Sequence, residues 1–144
     1  MNTSHSSNSS TQTRPNGLQK VTELTGRILL SVLFLASGLS KIGGYAATAG
    51  YMAAMGVPHA LLPLVIATEV IGALAIIFGW YTRVVALLLA GFTLLAALIF
   101  HSNFADQIQV IMFMKNISIS GAFLLLVANG AGPLSMDARR RSQD

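Results

Sequence analysis

The chain has 144 residues, of which 53% are hydrophobic and 10% charged, with a formal net charge of +4 and no cysteine. Soluble domains carry about 25% charged residues, so this composition excludes an ordinary soluble protein and indicates a membrane protein with several spans. The lack of cysteine excludes disulfides, iron–sulfur clusters and thiolate metal sites, and no haem or other metal motif is present. The basic residues flank an apolar middle, which argues against binding to nucleic acid.

The first part of the chain predicts a tail, one span and a short connecting helix. Residues 1–20 begin with a stretch rich in Ser, Thr and Asn, and we expect a disordered cytoplasmic tail there. Residues 25–44 form the first apolar run and have the length of a transmembrane helix. Upstream bases also fit a signal peptide, but three further apolar runs favour a retained span. Residues 45–58 are too few to cross the bilayer and predict a short helix in the membrane interface.

Three more spans follow, and two of them contain buried polar positions. Residues 61–80 read LLPLVIATEVIGALAIIFGW, with Glu69 as their one ionisable side chain. Residues 84–100 carry no charge and are followed by His101, whereas residues 109–128 contain Lys115 and Asn116. We therefore predict an all-α, integral membrane four-helix bundle over residues 21–130, followed by a basic cytoplasmic tail at residues 131–144.

The distribution of Lys and Arg predicts the orientation of the bundle. Four spans place both chain ends on one side, and the bases lie in the two tails and at Arg83 in the turn after the second span. The opposite loops, residues 45–60 and 102–108, contain neither Lys nor Arg. Positively charged segments stay in the cytoplasm, so we expect both termini to be cytoplasmic.

This orientation brings polar residues from four different spans to similar depths in the outer half of the membrane. They are Lys41, Glu69, His101, Lys115 and Asn116. A carboxylate inside a membrane is costly unless it is paired or protonated, so one interpretation is that Glu69 pairs with Lys41 or Lys115 and only fixes the helices. The other is that the surplus positive charge binds a ligand, such as a quinone headgroup or a small anion.

The chain resembles the DoxX family of small four-helix bacterial membrane proteins over roughly residues 26–129. The resemblance is carried by the order and placement of polar and small residues, namely Arg27, Phe34, Gly38, Lys41, Glu69, Gly72, Gly79, Arg83, His101, Lys115, Asn116 and Gly121. The family is similar to the DoxD subunit of thiosulfate:quinone oxidoreductase. The resemblance implies an inner-membrane subunit linked to quinone or redox chemistry, working with a redox partner rather than as a complete enzyme.

Three hypotheses for function follow from these patterns. The first is a quinone-binding or redox-associated subunit, with quinone as its cofactor. The second is a transporter or channel for a small solute or anion, which would require a homo-oligomer because the chain has no inverted repeat long enough to alternate access. The third is a non-catalytic membrane scaffold in which the polar cluster is structural.

Overall fold

A computed structural model describes residues 16–143 of the chain, and within them it contains helices and turns but no strand. The α-helices are α1 (Gly17–Gly43), α2 (Tyr45–Ala54), α3 (Leu62–Phe78), α4 (Thr82–Phe100), α5 (Gln107–Asn129) and α6 (Met136–Arg141). A 3-10 turn, His59–Leu61, leads into α3. Four of these helices, α1, α3, α4 and α5, are long and apolar enough to cross a membrane. The predicted all-α membrane bundle is therefore confirmed, as is a short helix between its first two spans.

The main difference from the predicted boundaries is that α1 begins at Gly17 rather than at residue 25. The side chain of Asn16 accepts a hydrogen bond from the backbone N–H of Gln19 at 2.8 Å, which is a helix N-cap. The side chain of Gln19 in turn donates to Glu23 at 3.0 Å, one helical turn further on. These local contacts extend the helix into the segment assigned to the tail. Residues 1–15 of that tail lie outside the described residues.

The bundle consists of two packed helix pairs, α1 with α3 and α4 with α5, joined through the contact of α3 with α4. Its buried core is made of alanines, aromatic residues and two larger aliphatic residues, namely Phe34, Ala73, Ile76, Ala86, Leu89, Ala90 and Phe123. The rings of Phe34 and Phe123 meet edge to face with centroids 5.2 Å apart, which links α1 to α5. Most of the large apolar side chains lie on the outside, as expected for helices that face lipid.

Two glycines set how closely the helices approach each other. A Cβ atom built on Gly38 would lie 2.7 Å from Cγ2 of Val70 and 3.2 Å from Cβ of Glu69, so α1 touches α3 there. A Cβ on Gly72 would lie 3.0 Å from the side chain of Leu89 on α4. Small residues are used in this way wherever membrane helices come into backbone contact. Gly38 therefore brings the backbone of α1 close to the point where Glu69 leaves α3.

The opposite end of the bundle is closed by the C-terminal segment, which we define as residues 130–143. Arg27 of α1 is 1% exposed and reaches this region. Its guanidinium donates to the carbonyl oxygens of Ile76 and Ile77, both at 3.2 Å, and to the carbonyl of Leu134. Arg27, which we had identified only from topology and family pattern, thus joins α1, the end of α3 and the C-terminal segment.

Candidate functional site

A cavity of about 530 Å³ lies between the four long helices, at the end of the bundle where α1 ends and α3 begins. This volume is within the range of about 300–1,000 Å³ that is usual for small-molecule sites. Its walls are mostly apolar, with contributions from Leu33, Leu64, Val65, Leu95 and Ile99. The five polar residues selected from the sequence all line it: Lys41, Glu69, His101, Lys115 and Asn116.

The carboxylate of Glu69 is held by a network that joins α1 to α3. Lys41 Nζ lies 2.9 Å from each of the two carboxylate oxygens of Glu69. Ser37 Oγ lies 3.1 Å from one of these oxygens and 2.6 Å from Lys41 Nζ. The side chain of Glu69 is 7% exposed and that of Lys41 is 23% exposed. The cost of placing a carboxylate in the membrane is thus offset by a cation and a hydroxyl on the neighbouring helix.

This geometry decides which lysine pairs with Glu69. Among residues 16–143, Lys41 and Glu69 form the one ion pair within 4.0 Å. The sequence allowed Lys115 as the partner equally well, because the rotation of α5 about its axis cannot be read from the order of residues. Lys115 instead lies on the α5 wall of the cavity beside Asn116, and no side chain in the described part of the chain forms an ion pair with it.

His101 marks the mouth of the cavity at the end of α4. Its Nδ1 lies 2.8 Å from Oε1 of Gln109 on α5, so the described geometry fits a protonated Nδ1 that donates to the amide oxygen. In that tautomer Nε2 keeps a lone pair and can accept a proton. The histidine ring is therefore oriented by a partner outside the charged pair.

The short helix α2 covers part of the cavity. Met52 is 3% exposed, and the ring of Tyr51 stacks on Phe100 of α4 with centroids 5.5 Å apart. Thr48, Tyr51 and Met52 all line the cavity. Helix α2 thus contributes to the site as well as connecting the first two spans, a role that its composition did not indicate.

The structure adds Ser37 to the residues selected from the sequence. Ser37 was not among the selected residues, but its hydroxyl contacts both members of the ion pair. The available signal was its spacing, because residues four apart share a helix face and Ser37 stands four before Lys41. Of the other pattern residues, Phe34 also lines the cavity. Gly38 and Gly72 lie at helix contacts, and Arg83 is exposed beside Gly130.

Comparison with known proteins gives consistent relatives. The inner membrane protein YqjF of Escherichia coli (strain K12) is 56% identical over 120 residues, which cover 83% of this chain and 92% of YqjF. The inner membrane protein YphA of the same organism is 39% identical over 123 residues, covering 81% of this chain and 88% of YphA. A Bacillus subtilis (strain 168) protein named "Putative oxidoreductase CatD" is 34% identical over 73 residues, covering 51% of this chain and 54% of CatD.

No solved structure matches the chain. The family model described as DoxX matches residues 22–102, which contain α1 to α4 apart from the first turn of α1. Together with two inner-membrane relatives that align over most of their length and four apolar helices, this match indicates a multi-pass protein of the bacterial inner membrane. The chain therefore belongs to the DoxX family.

Proposed function

We propose that this DoxX-family protein is a redox-associated membrane subunit that binds a quinone headgroup in the cavity. The observation that carries the proposal is one mostly apolar cavity of about 530 Å³ that all five of the selected polar residues line. A quinone needs an apolar pocket for its ring and donors for its two carbonyl oxygens. The relative named "Putative oxidoreductase CatD" supports a redox role, although its name specifies no substrate.

The described contacts suggest different roles for the polar residues. Both oxygens of Glu69 are already bonded to Lys41, so this pair acts chiefly as a fixed polar wall. The Lys115 ammonium and the Asn116 amide can each donate a hydrogen bond to a carbonyl oxygen of the quinone. His101, with Nε2 available, exchanges the protons. Reduction of a quinone to a quinol consumes two electrons and two protons. A partner subunit delivers the electrons.

The test is to purify the protein from its native membrane and measure bound quinone by mass spectrometry. We expect quinone above the level found with an unrelated membrane protein of equal size. The Lys115→Gln variant and the cavity-filling Ala96→Phe variant should retain less quinone, because Ala96 lines the cavity away from the ion pair. Lys20→Gln is the matched charge control, since Lys20 lies near the start of α1 and does not line the cavity. A wild-type level equal to that of the unrelated protein would refute the proposal.

One observation favours binding of a small anion as a second candidate. Lys115 has no carboxylate within ion-pair distance among the described residues, so the cavity wall carries a surplus positive charge. Flux of small anions into liposomes that contain the protein, with Lys115→Gln as the comparison, tests this function. Equal flux for both proteins would exclude it. If neither quinone nor anions bind, the cluster is left with the structural role of joining α1 to α3.

A further inference from the structure

A second polar region lies at the opposite end of the bundle, far from the cavity. It consists of α6, the turn between α3 and α4, and the start of α4. Four exposed arginines lie there, and we call them the arginine surface: Arg83, Arg139, Arg140 and Arg141. We infer that the arginine surface is a binding site for the headgroups of anionic phospholipids. This inference does not depend on the proposed function, because it involves no residue of the cavity.

The position of α6 is fixed by Asp137. One carboxylate oxygen of Asp137 accepts the backbone N–H of Tyr81 and the other accepts that of Thr82, both at 2.8 Å. The backbone N–H of Asp137 donates to the carbonyl of Gly79 at 2.9 Å. Since Thr82 begins α4, Asp137 fills the place of a capping group for that helix. The arginines that follow are therefore held against the bundle rather than on a free tail.

This docking sets the depth of the arginine surface in the membrane. Helix α4 has 19 residues. At 1.5 Å per residue it spans about 28 Å, which is close to the thickness of the hydrocarbon core of a bilayer, about 30 Å. The N-terminus of α4 thus lies at the edge of the hydrocarbon, and α6, bonded to it, lies at the level of the lipid headgroups. Trp80 and Tyr81, both exposed, are at the same end, as is usual for aromatic residues at a membrane interface.

The guanidinium groups are available to a ligand. The four arginines are exposed, and within residues 16–143 none of their side chains forms an ion pair or donates a hydrogen bond to protein. The carboxylate of Asp137, in the same helix as three of the arginines, is occupied by two backbone amides. Arg140 lies over the ring of Tyr81 with its guanidinium carbon 4.7 Å from the centroid, which orients it while leaving its N–H groups free. A guanidinium binds phosphate oxygens in a bidentate manner, so the phosphodiester of a lipid is a matching ligand.

Apolar side chains next to the arginines favour a lipid over a soluble anion. Leu134 and Met136, which flank Ser135 at the start of α6, are 46% and 45% exposed. Exposed apolar residues beside arginines are the arrangement of segments that lie in the membrane interface, with the apolar groups among the acyl chains and the bases among the phosphates. A site for a lipid headgroup requires this pattern, because one lipid molecule then contacts the arginines with its phosphate and the apolar side chains with its acyl chains.

The experiment reconstitutes the full chain in vesicles made of equal parts phosphatidylcholine and phosphatidylglycerol, extracts it in mild detergent and measures the retained lipids by mass spectrometry. We expect wild type to retain phosphatidylglycerol in excess. Each arginine near an anionic surface favours association about fivefold. In the variant with Arg139→Gln, Arg140→Gln and Arg141→Gln, the ratio of phosphatidylglycerol to phosphatidylcholine should fall by at least about fivefold.

Two further variants make the result decisive. Asp137→Ala keeps every arginine but removes the contacts that dock α6, so the ratio should fall although the charge of the basic residues is unchanged. Lys20→Gln removes a positive charge from α1 outside the arginine surface and should lower the ratio much less than the triple variant does. The inference is overturned if wild type shows no excess of the anionic lipid, if the triple variant or Asp137→Ala keeps the wild-type ratio, or if Lys20→Gln lowers the ratio as much as the triple variant does.

Discussion

The ion pair between Lys41 and Glu69 gives a prediction whose magnitude follows from the structure. Lys41→Met removes the cation but leaves the carboxylate of Glu69, which is 7% exposed, with only Ser37 as a donor. Breaking a buried pair in this way typically costs about 3–5 kcal/mol. At 1.4 kcal/mol for each factor of ten, this cost is a change of about two to four orders of magnitude in the unfolding equilibrium constant.

The assay is the free energy of unfolding in mixed detergent micelles, measured as a double-mutant cycle. Glu69→Gln should cost less than Lys41→Met, because Lys41 is 23% exposed and its ammonium can still contact water. The variant with both Lys41→Met and Glu69→Gln should recover most of the loss, since replacing both charges removes the desolvation penalty together with the attraction. The difference between the double variant and the sum of the single variants measures the coupling.

Lys115→Met is the matched control, since it makes the same substitution in the same cavity. Lys115 has no ion-pair partner among the described residues, so its replacement should change stability by no more than about 0.5 kcal/mol, as at ordinary surface positions. The reasoning is refuted if Lys41→Met and Lys115→Met cost the same. It is also refuted if the cycle shows no coupling between positions 41 and 69.

Three other predictions concern helix contacts and the C-terminal segment. Gly38→Ala should destabilise the bundle by about 1–3 kcal/mol, because the new methyl overlaps Cγ2 of Val70 and crowds Cβ of Glu69. Gly26→Ala, with nothing within 4 Å, should not, and thermal unfolding in detergent compares the two. Arg27→Met should cost about 1–3 kcal/mol in the same assay and increase hydrogen exchange in the C-terminal segment, because three carbonyl oxygens lose their donor. Burial raises the pKa of Asp137, but hydrogen bonds from Thr82 and Tyr81 at the start of α4, together with the charge of Arg141, outweigh it and hold the pKa below its ordinary value. The stability from this group is therefore present above pH about 4 and lost as the pH falls through the lower folded-state pKa. The protection of the α6 amides, corrected for the pH dependence of intrinsic exchange, should therefore fall in acid in wild type and stay unchanged in Asp137→Asn.

The fold was predictable because each long apolar run in this chain has one physical solution. A run of about twenty residues without charge must be helical in a bilayer, where every backbone group has to be satisfied within the segment. The depth of Glu69 and Lys115 followed from counting residues along alternating spans. Their membership of one cavity was therefore expected from topology. The partner of Glu69 was not, since it depends on the rotation of α5, which a sequence of mostly apolar residues leaves undetermined.

The C-terminal segment shows where sequence reasoning failed to find structure. Its three arginines were interpreted as a topology signal, which says nothing about a helix. The docking of α6 depends on backbone groups, namely the amides of Tyr81 and Thr82. Every residue type except proline has a backbone amide N–H, so the sequence does not indicate which amides take part. The contacts of Arg27 could not be predicted for the same reason, because its partners are the carbonyl oxygens of Ile76, Ile77 and Leu134. Polar contacts between side chains can be guessed from charge, whereas contacts to the main chain cannot.

The contacts inside the cavity separate stability from ligand binding. Glu69, Lys41 and Ser37 satisfy each other across α1 and α3, so a ligand that bound them would have to replace bonds that already exist. Lys115 and Asn116 lie on the facing wall and have no such network among the described residues. A bound headgroup would form its most favourable hydrogen bonds with this second wall, where the donors are free. Variants of the first wall should therefore change folding before they change ligand retention, and variants of the second wall should do the reverse.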